Sequence, residues 1–130
     1  MPYLHLSLGR PLPAATQATL AKAATELLHI HLRKRAEVTA VRIELHGDHC
    51  FIGGEAVSAT CPCHAEVCIT AGSNTPDEKA RFLQALHQLL SEHCGPLALA
   101  TYLVIREYPA SDWGYGGLTQ ASRHTAASTA

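Results

Sequence analysis

A chain of 130 residues and 13.9 kDa, 47% hydrophobic and 16% charged, has the material for one compact domain with an ordinary core. A formal net charge of -1 and no basic run longer than Arg33-Lys34-Arg35 exclude the electrostatic footprint of a nucleic-acid binder. No apolar stretch reaches the roughly 20 residues that span a bilayer, the opening MPYLHLSLGR has no export pattern, and an odd number of cysteines argues for reduced thiols, so a cytoplasmic protein without membrane contact is expected.

In chain order, Leu4-His5-Leu6-Ser7-Leu8 alternates as a half-buried strand does, and Gly9 closes it. Beyond Pro11 and Pro13, Leu20, Ala24, Leu27 and Leu28 recur on one face and predict a helix from Ala14 to Arg33. Val38 to Leu45 reads as a second strand, and a glycine hairpin, His49-Cys50-Phe51-Ile52-Gly53-Gly54-Glu55, follows it. Cys61-Pro62-Cys63-His64 and Cys68 come next. Structural zinc wants two or more residues between paired cysteines and a second pair, so the reading here is no metal site and thiols in a connector. Val67 to Ala71, closed by Gly72, repeats the first strand. Thr75-Pro76-Asp77-Glu78 is a capping box, opening a helix with a stripe of Phe82, Leu86, Leu89, Leu90 and His93 that Gly95-Pro96 ends. Leu97 to Tyr108 reads as the last long strand and Gly114-Tyr115-Gly116-Gly117 as a second hairpin. Thr119 to Ala130 is small and polar, a flexible tail or an arm ordered against a neighbour.

Gly9 and Gly72 are 63 residues apart, and so are Gly53 and Gly116. Residues 1–60 and 64–118 are therefore expected to be two copies of one unit within a single domain, with 119–130 as the tail. Each strand–helix–strand unit makes a right-handed crossover between parallel strands. The expected fold is α+β: two tandem β-α-β units forming a four-stranded sheet with two helices on one face and short hairpins at the edges. Because the later strands read as apolar on both sides, the other sheet face is expected to be buried by association of subunits.

Met followed by Pro2, Gly9-Arg10 after the first strand, Thr39-Ala40-Val41-Arg42-Ile43 in the second and the Gly53-Gly54 hairpin, in that order, resemble the tautomerase superfamily. Counted twice, the pattern is similar to a fused 4-oxalocrotonate tautomerase. The resemblance implies keto–enol proton transfer on a 2-oxo acid or 2-hydroxymuconate-like carboxylate, no cofactor and a homotrimer. It implies the Pro2 amine, freed by removal of Met1, as general base. An α-amine begins near pKa 8, and an apolar pocket and nearby arginines both favour its neutral form. Arg10 and Arg42 would hold carboxylates or the carbonyl end, although Arg42 can equally pair with Glu44. Trp113, with Phe51 and Tyr102, would wall the pocket. In the second half Pro2 and Arg10 fall on Ala65 and Ser73, so that half cannot repeat the site.

Two rivals remain open at this level. The first helix, Leu12 to Thr25, is also similar to that of cis-3-chloroacrylic acid dehalogenase, a hydratase-type relative. Against it, Leu28 occupies that family's helix-histidine position, Gly72-Ser73-Asn74 replaces its paired arginines, and only Asp112 could activate water. The second rival is a non-catalytic metal- or ligand-binding module, or a pseudoenzyme on the same fold.

Overall fold

The structure, a computed structural model, describes residues 2–45 and 50–123. Strand β1 (Tyr3–Leu8) leads through helix α1 (Ala14–Leu32) and a 3-10 turn (Ala36–Val38) to β2 (Ala40–Leu45). A hairpin of β3 (Phe51–Ile52) and β4 (Glu55–Ala56) ends the first unit. The second runs β5 (Cys63–Thr70), α2 (Pro76–Cys94), β6 (Tyr102–Tyr108) and a hairpin of β7 (Gly114–Tyr115) and β8 (Leu118–Thr119). β1 pairs parallel with β2, β5 parallel with β6, and β1 joins β5 antiparallel, giving one sheet in the order β2-β1-β5-β6. This is the α+β arrangement expected from the repeat. The hairpins repeat even in detail: Gly53 and Gly54 have φ of 62 and 80°, Gly116 and Gly117 of 63 and 80°. No helix among the described residues is long and apolar enough to cross a membrane.

The two helices arise from different local chemistry. The Thr75 hydroxyl accepts from the Glu78 N–H (3.2 Å) and the Glu78 carboxylate from the Thr75 N–H (2.9 Å), completing the capping box of α2. No side chain caps α1 at Pro13, so that helix depends on burial of Leu20, Ala24, Leu28 and Leu32. Both pack on each other and on the sheet face formed by Leu4, Leu6, Leu8, Ala65, Val67 and Ile69, with Phe82, Leu86 and Leu90 filling the layer.

Several expectations are corrected. The open sheet face is not broadly apolar: Val41, Ile43, Leu103 and Ile105 turn toward the helices. Strand alternation then sends Arg42, Glu44 and Arg106 the other way, beside His5, Ser7, His64 and Glu66. Ion pairs tie this face together, Arg106–Glu66 at 2.9 Å and Arg42–Glu44 at 3.3 Å, and His64 hydrogen-bonds Glu66 at 3.0 Å. The last long strand begins at Tyr102, because Leu97 only bridges to Cys61 before a turn. Val38 belongs to the 3-10 turn, and Arg33 is the left-handed residue after α1 rather than its last turn. Residues 119–123, expected in the tail, are held in place: Gln120 N–H donates to the Trp113 carbonyl (2.8 Å) and Ala121 N–H to that of Ala110 (2.9 Å), in a turn of helix at 120–123. His49, Met1 and the rest of the tail lie outside the described residues.

Candidate active site

Pro2 is fully buried immediately before β1, and its carbonyl accepts from the Ala40 N–H at 3.3 Å. Tyr3 stands opposite Cys68, so the same register carries Pro2 to Ile69, next to the end of β5. At that end lies a cleft of ≈ 660 Å³ lined by Lys34, Arg35, Thr70 to Ser73, Tyr115, Gln120 and Arg123, among others.

How Lys34 comes to line it follows from the end of α1. Arg33 adopts φ 57° and ψ 37°, and the N–H groups of Arg33 and Lys34 return to the carbonyls of His29 and Leu28 at 3.1 Å each, an αL-type stop made without glycine. The turn splits the basic run. Arg33 reaches out to Glu78 (2.8 Å) and the Ser73 carbonyl (3.1 Å), and Arg35 pairs with Glu37 (3.0 Å). Lys34 turns inward, is only 8% exposed, and donates to Ser73 Oγ at 2.9 Å. Ser73 Oγ in turn donates to the Thr70 carbonyl at 2.6 Å, which fixes its lone pairs toward the ammonium. Burial, and then the charge of Arg33, lower the Lys34 pKa, while Glu78 and Glu107 partly oppose them.

Across the cleft, Arg123 stacks on the Tyr115 ring at 3.7 Å and donates to the Tyr115 carbonyl at 2.8 Å. Among the described residues, Lys34, Arg35 and Arg123 bring three cations to a cleft with no carboxylate in its lining, while Arg35 is paired with Glu37 and Glu107 accepts from the Gly72 N–H behind its wall. Such a site attracts anions, and a planar carboxylate suits its guanidinium donors.

The remaining predicted residues do not converge on Pro2 within one chain. Arg10 follows β1 at its other end, roughly 25 Å away at about 3.3 Å per residue, where its Nη1 donates to the Cys94 carbonyl at 3.1 Å. Arg42 projects from the open face and pairs with Glu44, the alternative that the sequence left open. Phe51 in the first hairpin and Tyr102 at the start of β6 are both exposed, and neither lines the cleft. Trp113 packs against Tyr108, whose carbonyl accepts from Ala71 at the Pro2 end of the sheet; the rings are 6.3 Å apart and inclined at 48°. Its indole N–H is buried with no partner among the described residues. Sequence reasoning missed Lys34, Tyr115 and Arg123. Lys34 was hidden inside a run that reads as solvated charge, and Arg123 lay in what reads as tail.

Residues 64–123 match the family described as Tautomerase enzyme. No curated protein matches the sequence. Among solved structures, the wild-type Q0 fused 4-OT, a symmetric trimer, is 21% identical with a TM-score of 0.80, over 93% of this chain and 98% of that one. Pt0534, in a structure inactivated by 2-oxo-3-pentynoate, is 17% identical with a TM-score of 0.80, over 93% and 98%. A macrophage migration inhibitory factor-like protein from Entamoeba histolytica is 17% identical with a TM-score of 0.76, over 91% and 97%. The family match falls on the half that lacks Pro2, whereas the structural likeness extends over both halves.

Proposed function

We propose that the chain, whose residues 64–123 match the family described as Tautomerase enzyme and whose fold is like that of a fused 4-OT, is a tautomerase that catalyses keto–enol proton transfer on a 2-oxo acid or a related enol carboxylate, with the Pro2 amine as general base. The observation that carries this reading is the cationic cleft at the end of the sheet where Pro2 precedes β1, a cleft whose lining does not itself include Pro2. Arg123 and Arg35 would hold the substrate carboxylate. Lys34, with the Ser73 hydroxyl as its anchor, would donate to the oxygen on which enolate charge develops, and the Pro2 nitrogen would move the proton between carbons. The buried surroundings of Pro2 favour its neutral form, as a base at neutral pH requires.

Arg10 and Arg42 enter through assembly. We propose a homotrimer, as in the fused 4-OT noted above, in which Arg10 serves the Pro2 site of a neighbouring chain. The open face supports it as a mixed contact surface, since exposed Tyr3, Tyr102 and Tyr108 lie there beside the ion-paired Arg42, Glu44, Glu66 and Arg106. A mixture of Pro2→Ala and Arg10→Ala chains, unfolded and refolded together, should regain activity that neither parent has. Recovery absent from the mixture would remove Arg10 from the Pro2 site of the neighbouring chain.

The base is tested chemically with 2-oxo-3-pentynoate, an electrophilic ynone acid. Peptide mass spectrometry should find the adduct on the Pro2 amine, with protection by a competing carboxylate. Labelling confined to the cysteines would count against the proposal.

A further inference from the structure

Three thiols gather at the end of the sheet opposite Pro2. Cys61 lies in the bridge before β5, Cys63 opens β5 and Cys94 closes α2. Residues 61 and 63 point the same way in an extended segment, toward the helix layer, where the C-terminus of α2 meets them. All three sulfurs lie within 4.8 Å of one another, with Cys61 and Cys63 at 3.6 Å, and the residues are only 8%, 8% and 1% exposed. His64 and Cys68, the other members of the sequence cluster, lie on the opposite face, His64 against Glu66.

Without a cation the group holds neutral thiols: burial raises the Cys61 pKa, and the hydrogen bond with Cys94 and then burial raise that of Cys63. The Gly9 N–H faces both Cys61 and Cys63. That approach needs glycine, because a Cβ at Gly9 would fall 2.3 Å from the Pro62 carbonyl oxygen. Arg10, anchored on the Cys94 carbonyl, adds a positive charge felt at Cys61 and Cys94. A cleft of ≈ 380 Å³, with Arg10, Cys61 and Cys94 in its wall, opens onto the group. As thiols the trio is a set of small apolar side chains; the Gly9 N–H beside two of the sulfurs and the Arg10 guanidinium held nearby on the Cys94 carbonyl would offset the charge of metal-bound thiolates.

We propose that Cys61, Cys63 and Cys94 form a three-thiolate site for a divalent, thiophilic cation of the zinc class, whose fourth position opens to the cleft beside Arg10. Sulfurs bound tetrahedrally at about 2.3 Å stand about 3.8 Å apart, so the widest pair needs to close by no more than about 1 Å. Binding exchanges three thiol protons for one dication and forms three metal–sulfur bonds, which leaves one net negative charge opposite Arg10. A monovalent ion would leave two, at greater cost in a buried site. The three ligands are distinct from Pro2, although Arg10 is shared with the Pro2 site of a neighbouring chain in the trimer proposed above.

Titration of the reduced, metal-free protein with Co²⁺, followed by back-titration with Zn²⁺, tests the proposal. One Co²⁺ per chain should produce sulfur-to-cobalt charge-transfer absorption and intense tetrahedral d–d bands, with release of protons, and Zn²⁺ should abolish both. Cys61→Ser and Cys94→Ser should lose the charge-transfer band, with circular dichroism reporting on the fold, while Cys68→Ser and Pro2→Ala should keep it. Weak octahedral bands alone in the wild type would mean histidine binding and would overturn the proposal. So would a band that survives both Cys61→Ser and Cys94→Ser.

Discussion

At the scale of single residues, Lys34 is a lysine whose neighbours leave its charge facing the cleft. Burial and Arg33 lower its pKa, so its cationic form is lost at a lower pH than an ordinary lysine's value of about 10.4. If that cation steadies the developing enolate, kcat/KM should fall on the basic side with this lowered ionisation. Lys34→Met should remove the basic limb and cost about 10²-fold in activity, comparable to losing one oxyanion donor; an unchanged profile would remove Lys34 from the site. Motif order singles out Pro2, Arg10 and Arg42 in the sequence, and of these only Pro2 lies at the cleft end of the sheet. The sequence hid Lys34, because the direction of that side chain depends on a left-handed turn at Arg33, where no glycine announces it.

Among the elements, α2 was the easiest to read, since Thr75, Pro76, Glu78 and Gly95 punctuate both of its ends and all are used in the structure. Thr75→Ala should lower stability by about 0.5–2 kcal/mol in a urea titration, the usual cost of losing an N-cap. The start of β6 was harder, because Leu97 to Thr101 are as apolar as a strand but are diverted into a bridge and turn. The paired hairpins allow a controlled comparison. Gly53 and Gly116 share positive φ, so alanine at either should cost about 1–2 kcal/mol in backbone strain. Only at Gly116 would the new Cβ strike a neighbour, Arg123 Nη2 at 2.6 Å. Gly116→Ala should therefore raise KM for a carboxylate substrate, and Gly53→Ala should not. Equal effects on KM would separate Arg123 from substrate binding.

For the whole molecule, the period of 63 residues revealed the sheet, its crossovers and the shared face of the helices, but not the character of the open face. Composition alone cannot show which side of β2 and β6 carries the apolar residues; register does. That face gives the fold a pH signature. Hydrogen bonds from Arg106, then from His64, hold the Glu66 carboxyl at about 2, below its unfolded value of about 4.3. The pair therefore stabilises the fold above about pH 4.3, and its contribution is lost as pH falls toward 2. Urea midpoints measured between these limits should decline less steeply for Glu66→Gln than for the wild type, and parallel curves would contradict the assignment. The two ends of the sheet carry different chemistry, a cationic cleft at the end where β1 begins and a thiol cluster at the end where Arg10 follows it. The claim on which the functional reading turns is that Pro2 moves the proton, and the most direct measurement is the rate of ketonisation of phenylenolpyruvate and 2-hydroxymuconate by the wild type and Pro2→Ala. The wild type should exceed the buffer rate, and Pro2→Ala should lose about 10²-fold or more of kcat/KM. Equal rates for the two proteins, or no acceleration of either substrate, would contradict the account.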